Sequence, residues 1–595
     1  MGAACITGSF VSLCLKANMK PKAFAASARF ARLLCVTSAC TMLAAMPVCA
    51  QDMVLPGSVD PGRALENQER KPVPDRSLET EVRPKAAVPL TPAGAENLKF
   101  VLKHVWYEGM TAYEPQELQA LYNEHLGKEI SVATLFDIMA KVQQKYLDDG
   151  YALTKVVIPN QNIQGGEVRL AVIEGHVSEV EIAPDIRPSP VIDDAIKRIK
   201  DMHPLNVRTL ERLMLILNDL PDLDVSAVLA TPKAQEEAGG VRLVLQKSPS
   251  ADQRGIVALD DHGSVFSGPV QMRATGNIFH VGPAYSKASV TLFSAMPIDE
   301  QKSGSLSYST PVFGASGAMA TLSSSLTHTE PGSSLSILDI KGVSQSNEVN
   351  ISYPLIRQRD MTLNIDGGFE WKNARTKILG EELYDDRLRI LKTGLNLNFT
   401  DAWAGYNVAD IHYSQGLDIL GVRESGSEYL SRLDGKSDFH KFEMLVGRIQ
   451  ALPNNFELYG VVNGQYALDP LLSSEEFGFG GGQIGRGYDP SEITGDHGVA
   501  ASFEVRYNTE VPIFKTSVLA QPYIFYDIGK IWNIDNGADD KISAASTGFG
   551  VRATLNQGWN MDLNLAIPMT RSADQEPKYQ TDVGGRVLFS LSKSF

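Results

Sequence analysis

From residue 251 to the C-terminus, apolar and polar residues alternate with a period of two. In Met361–Trp371 the odd positions Met361, Leu363, Ile365, Phe369 and Trp371 are apolar, while Thr362, Asn364, Asp366 and Glu370 are polar. Successive side chains of a strand point to opposite faces, so such a segment has one apolar and one polar face. The same alternation sets Leu391, Leu395, Leu397 and Phe399 against Lys392, Asn396 and Asn398, and Val499, Phe503, Val505 and Tyr507 against Ser502, Glu504 and Arg506. It recurs at Trp559, Met561, Leu563, Leu565 and Ile567, and again in the last strand. There Val587, Phe589, Leu591 and Phe595 share a face that also carries Lys593, a charge placed where a lysine can snorkel to an interface. A soluble sandwich would use short strands over a narrow core. These segments run to nine to twelve residues, the length of a tilted membrane strand, and four of the five tryptophans lie in the region from 251 onward. At roughly 20 to 22 residues per strand and connection, the region predicts a transmembrane antiparallel β-barrel of about sixteen strands.

Upstream the period changes. Residues 97 to 247 predict two copies of a small α+β unit of order β-α-α-β-β. In the first, Leu98–Tyr107 is a strand, Ser131 caps a helix with Leu135, Ile138, Val142 and Tyr146 on one face, Gly150 ends it, and strands follow at Leu153–Ile158 and Val168–Ile173. In the second, Val177–Ile182 is a strand, Val191–Met202 and Thr209–Leu220 are helices, and Val225–Ala230 and Val241–Gln246 are strands. Residues 51 to 95 are poor in bulky apolar groups and carry Pro72, Pro74, Pro84, Pro89 and Pro92, which reads as a tether. Within it, Asp60 and Pro61 suit the N-cap and first position of a helix running through Arg63 to Glu69. Its lack of an apolar face would require a polar cavity around it.

Composition sharpens this picture at the N-terminus. All five cysteines lie in the first fifty residues, which hold five Lys or Arg and no acid. From Met19, basic residues, the apolar run Leu33–Met46 and Val48-Cys49-Ala50 read as a secretory signal cleaved before Gln51, whether the start is Met1 or Met19. The mature chain then has no cysteine and a formal charge of −20, which excludes thiolate chemistry and argues against a nucleic-acid partner. No cofactor or metal is expected. Asp260-Asp261-His262 alternate faces and cannot converge on one ion. The chain also lacks H-E-x-x-H, G-x-S-x-G and Walker motifs, so no enzymatic activity is expected.

Gly480-Gly481-Gly482-Gln483-Ile484-Gly485 fits G-x-G-x-x-G, but Arg486-Gly487-Tyr488-Asp489-Pro490 cannot open the helix a dinucleotide site needs. The glycines instead suit a long loop, Phe477 to Asp496, folded into a confined space. Two strands beyond the loop, Ile524, Tyr526 and Ile528 would face lipid, placing Phe525, Asp527 and Gly529 in the lumen. Asp527 there is a candidate ionic partner for Arg486.

Together, the signal peptide, two β-α-α-β-β units, Gly485-Arg486-Gly487-Tyr488, Phe525-Tyr526-Asp527-Ile528-Gly529 and terminal Phe595 resemble a two-partner secretion outer-membrane transporter, a branch of the superfamily that also holds the barrel-assembly insertase. Gly150–Pro159 with Val168–Gly175 resembles the first periplasmic POTRA unit of that group, and Leu210-Glu211-Arg212 to Pro221 the second. The resemblance implies a signal peptide at 1–50, a plug helix and Pro-rich linker at 51–96, POTRA units at 97–175 and 176–248, and a barrel at 249–595 with loop 477–496 folded inward. It implies that Arg486 sits at the loop tip, that Asp527 on the wall holds it, and that Phe595 is the signal read by the barrel-assembly machinery. The usual family tetrapeptide begins with Val where this chain has Ile484-Gly485. The implied function is an outer-membrane pore, embedded in lipid with its POTRA units in the periplasm, that binds a large partner protein through those units and secretes it without nucleotide hydrolysis. The rival readings are a barrel assembly factor and a general porin.

Overall fold

The computed structural model describes residues 55–68, 92, 94–163, 165–233, 238–248, 252–513, 516–534, 541–555, 558–570 and 585–595. The predicted signal peptide and most of the Pro-rich linker fall outside them.

Alternation closes into a barrel. Among the described residues sixteen antiparallel strands run from Gly255–Asp260 to Arg586–Ser594, and these two pair with each other from Asp260 opposite Ser590 to Ile256 opposite Ser594. His497–Tyr507 and Thr509–Ile513 are one strand interrupted at Asn508, because both pair with Thr516–Trp532. Side chains alternate as the dyad pattern requires: Ile524, Tyr526 and Ile528 are exposed outward, and Phe525 and Asp527 are buried inward. Phe595 extends the closing seam, its amide donating to the Gly255 carbonyl at 2.9 Å and its carbonyl accepting from the Arg254 amide at 2.8 Å. Lys593 lies against the rings of Trp559 and Phe595, 5.8 and 5.4 Å from their centroids, so its charge sits in an aromatic setting at the strand end.

Besides the interrupted strand 497–513, five strands exceed the nine to twelve residues that a membrane crossing needs. Lys341–Arg357, Met361–Ile378, Glu381–Thr400 and Thr516–Trp532 have 17 to 20 residues and Lys541–Leu555 has 15. Two-sided burial of Tyr384–Asp386 and Leu388–Ile390 explains the extension in one of them. Loop 417–439 hydrogen-bonds along the free edge of that strand, from Leu417 N–H to Arg389 O (2.8 Å) to Asp385 N–H on Tyr429 O (2.8 Å).

Ahead of the barrel stand two three-stranded sheets. In the first, Glu167–Ile173 is central, parallel to His104–Glu108 and antiparallel to Lys155–Val157; in the second, Gly240–Lys247 is central between His176–Ile182 and Val225–Ala230. Helix Val132–Asp148 covers the first with Leu135, Ile138, Val142 and Tyr146, capped by Ser131 as expected. Helices Pro190–Asp201 and Val207–Asn218 cover the second. The expected single strand Leu98–Tyr107 is broken. Lys99–Val101 pairs with Glu129–Ser131, and the chain turns at buried Leu102 before His104–Glu108 joins the main sheet.

The second unit docks on one rim of the barrel. Arg357 donates two bonds of 2.7 Å to the Asp219 carboxylate, and Arg212 donates to the Pro354 carbonyl at 2.7 Å. That rim is therefore the periplasmic one, and the hairpin turn at Leu379-Gly380 belongs to the outer end.

In the first unit Glu174 is buried and accepts from the Thr111 hydroxyl, the Thr111 and Ala112 amides (2.9 and 3.0 Å) and the Tyr146 hydroxyl (2.9 Å). Burial alone would raise its pKa, but these donors outweigh it and hold the carboxyl below its ordinary value. A folded pKa below the unfolded one stabilises above the unfolded value, about 4.3, and that contribution disappears as pH falls through the folded value. Glu174→Gln is expected to cost about 2 kcal/mol at neutral pH, a gap that closes below about pH 4. Thermal scans of the helix signal at 222 nm check this, since every α-helix longer than five residues among those described lies in the periplasmic units; a gap independent of pH would refute it.

Candidate functional site

Loop 477–496 enters the lumen as a short hairpin, Phe477–Phe479 pairing with Ile493–Gly495. Its turn brings Arg486 against the wall. Gly485 takes φ +86°, a left-handed backbone in which valine would be strained, so this chain presents the arginine from a residue that only glycine fills at low cost.

Every arm of the Arg486 guanidinium is engaged. Nε and Nη2 donate to Asp527 at 2.9 and 2.8 Å, Nη2 also to the Ser502 hydroxyl at 2.9 Å, and Nη1 to Glu504 at 2.7 Å. The Asp527 carboxylate further accepts the Gly485 and Arg486 amides, both at 3.1 Å, and the Ser502 hydroxyl at 2.7 Å. Arg486, Asp527 and Glu504 are all nearly inaccessible. The guanidinium carbon lies 3.6 Å from the centroid of the Phe525 ring, adding a cation–π contact in a desolvated place.

The remaining predicted residues pack this junction. A Cβ on Gly529 would come 2.2 Å from the Phe479 ring, so glycine on the wall makes room for the hairpin. The Gly487 amide donates to Ser546 Oγ at 3.3 Å, and the Tyr488 hydroxyl donates to the Ala545 carbonyl at 3.0 Å and bonds the Thr570 carbonyl. Phe595 lies at the closing seam on the periplasmic rim, apart from this cluster.

Sequence reasoning placed Ser502 and Glu504 on the polar face of their strand without assigning them a partner. Glu504 is the hub of a wider lattice, accepting also from Arg506 (2.7 Å) and Arg552 (2.9 and 3.0 Å), while Arg552 continues to Asp562 at 3.0 Å. The register that sets Ser502 opposite Asp527 and Glu504 opposite Phe525 creates these contacts, and periodicity alone does not fix register.

A second set of ties holds the base of the loop to other strands of the wall. Glu475 pairs with Lys372 at 2.9 Å and Lys441 at 3.0 Å, both on other strands. Arg432 bonds Asp496 and Glu476.

The N-terminal segment 56–68 threads the same lumen. The expected helix from Pro61 is shorter: only Ala64–Gln68 is helical, and Asp60 Oδ1 instead accepts the Gly62 amide at 2.7 Å, turning the chain at a glycine with weak helix propensity. The predicted continuation through Glu69 lies outside the described residues. The surroundings are polar, as a helix lacking an apolar face requires. Arg63 is buried and donates to the Ser473 and Glu476 carbonyls at 2.9 and 2.7 Å and to Ser491 Oγ at 3.3 Å. Gln68 accepts from Arg273 through its carbonyl and from Ser303 Oγ at 3.0 Å. Segment and loop thus fill the lumen together, held to its walls by polar contacts.

Residues 239–553 match the family described as haemolysin secretion/activation protein ShlB/FhaC/HecB, and residues 100–175 match the POTRA domain of ShlB type. The chain is 21% identical over 532 residues to the heme/hemopexin transporter protein HuxB of Haemophilus influenzae, covering 85% of this chain and 91% of that protein. It is also 21% identical over 505 residues to the outer membrane transporter CdiB of Dickeya dadantii, covering 83% and 87%. Among solved structures, CdiB from Escherichia coli shares the fold with a TM-score of 0.72 at 16% identity, covering 85% of this chain and 92% of that one. CdiB from Acinetobacter baumannii does so with a TM-score of 0.62 at 17% identity, covering 90% and 96%.

Proposed function

The chain belongs to the haemolysin secretion/activation family, and from that premise we propose how this outer-membrane translocation pore admits its secreted partner. The periplasmic units receive the partner as an extended chain, which adds to an exposed sheet edge. Val225–Ala230 is a suitable edge, because Val228 and Leu229 point to opposite faces and both are exposed. The partner then displaces segment 56–68 and loop 477–496, passes through the lumen and folds outside, which supplies the driving force without nucleotide hydrolysis. Its binding must favour the opened state, since a ligand shifts an equilibrium only by its differential affinity. Phe595 serves beforehand as the end of the strand that the assembly machinery reads.

The observation that carries this reading is the way the lumen is filled. Arg486 and Glu475 fasten the loop to different strands of the wall and Arg63 fastens the N-terminal segment to the loop, all through contacts that can be exchanged for contacts with a passing chain. A general porin has no use for such removable contents. Removing the gene is expected to eliminate one large secreted protein from the medium while the other outer-membrane proteins keep their abundance. General depletion of outer-membrane proteins would instead favour an assembly factor.

A further inference from the structure

We propose that the outward face of the hairpin formed by Met361–Ile378 and Glu381–Thr400, immediately above the lipid-facing belt, binds the phosphate-bearing headgroup of an outer-leaflet lipid. The position follows from the strands themselves. Outward side chains Ile365, Phe369, Trp371, Leu391 and Leu395 are apolar, and the outward positions beyond them become Asn373, Arg375 and Lys377 on one strand and Arg389 and Arg387 on the other. Trp371 and Arg389 are cross-strand neighbours, as are Asn373 and Arg387. The first solvent-exposed guanidinium, that of Arg387, is thus two residues, about 7 Å, above the last aromatic of the belt. This end of the hairpin is the one opposite the periplasmic docking rim, so it meets the outer leaflet.

The charge here runs against that of the whole chain, in which acids outnumber bases by 70 to 55. Arg375, Arg387 and Arg423 all converge on the single carboxylate of Asp385, with Arg387 at 2.7 Å and Arg375 at 3.6 Å. One carboxylate neutralises one of the three. Glu382 lies 3.8 Å from Arg375, and Lys341, which faces Lys377 across the neighbouring strand pair, is paired with Asp339 at 3.1 Å, so the excess rests on Arg375, Arg387, Arg423 and Lys377 against Asp385 and Glu382. Arg389 is buried against Trp371, its guanidinium carbon 4.4 Å from the ring centroid, and donates to neutral oxygens of Leu388, Asn373 and Leu420. It stiffens the floor of the cluster, while Arg375 and Arg387 keep 48% and 42% of their side chains exposed. Interfacial anchoring alone is achieved at the other end of the barrel by Lys593 between two aromatic rings. A cluster of guanidinium forks with excess charge suits a phosphate, which each fork can bind bidentately.

The test uses the full chain in phosphate-free detergent, titrated with bisphosphorylated lipid A, with the same lipid stripped of phosphate, or with inorganic phosphate, while the unfolding midpoint is followed. The bisphosphorylated lipid is expected to raise the midpoint saturably. Arg375→Ala/Arg387→Ala should weaken its apparent affinity by at least about tenfold, and Lys530→Ala, an outward lysine elsewhere on the barrel, should leave it unchanged. Arg375→Lys/Arg387→Lys, which keeps the charges and removes the forks, should fall between wild type and the alanine pair and guards against a folding defect. Equal affinity in wild type and the alanine pair would overturn the proposal. So would equal stabilisation by the dephosphorylated lipid, which would mean belt contact only, or by inorganic phosphate, which would mean a free-anion site.

Discussion

Arg486→Ala is expected to cut export of the partner to below about one tenth while the barrel still assembles. The substitution leaves the Asp527 carboxylate buried without its charged donors, which all came from one side chain, and with only the Ser502 hydroxyl and two backbone amides, while Glu504 keeps Arg506 and Arg552. Removing one member of a buried, hydrogen-bonded ion pair costs about 3–5 kcal/mol, which shifts the balance between docked and undocked loop by more than about a hundredfold. Asp527→Asn should be nearly as damaging as Asp527→Ala, because an amide nitrogen would face the Arg486 and Gly485 donors that now converge there. Arg486→Lys should fail to restore export, since one ammonium cannot reach Asp527, Glu504 and Ser502 in the planar arrangement of the guanidinium. Partner protein in the medium and the heat-resistant form of the barrel on gels are the paired readouts. Full export by both alanine variants would refute the role of the pair.

How much of this was legible beforehand varies with the physics of each part. Strand existence was readable because lipid outside and water inside demand opposite faces, so Ile524, Tyr526 and Ile528 could be set against Phe525 and Asp527. Helix Val132–Asp148 was readable from its cap and apolar stripe. Strand length was not, because Tyr384–Ile390 is extended by a loop, residues 417–439, that bonds along its free edge and belongs to no local pattern. Arg486 and Asp527 could be nominated from local composition and resemblance. Glu504, Glu475 and Arg63 required knowing which strand faces which across the lumen, information that resides in register and in contacts between residues more than 400 positions apart.

Arg63→Ala is expected to turn an occluded barrel into a leaky one. Arg63 lies on a turn of few apolar residues, and its guanidinium is the principal described tie between segment 56–68 and the loop base, reaching Ser473, Glu476 and Ser491. An arginine this buried stays in place only because several oxygens replace its hydration. Alanine would leave the Ser473 and Glu476 carbonyls short of donors and the segment held mainly by Gln68 to Arg273 and Ser303. The loss of two or three charge-assisted bonds, at about 1.5–3 kcal/mol each, exceeds what a five-residue helix can contribute by itself. In planar bilayers the variant should therefore show longer and more frequent open events than wild type, and cells carrying it should admit bulky antibiotics more readily. The Arg486 variant makes a useful contrast: its loop is still tied through Glu475 to Lys372 and Lys441, so its conductance should rise less even as its export fails. Unchanged conductance and antibiotic tolerance in Arg63→Ala would show that the segment is retained by other contacts and that its release is not controlled at this side chain.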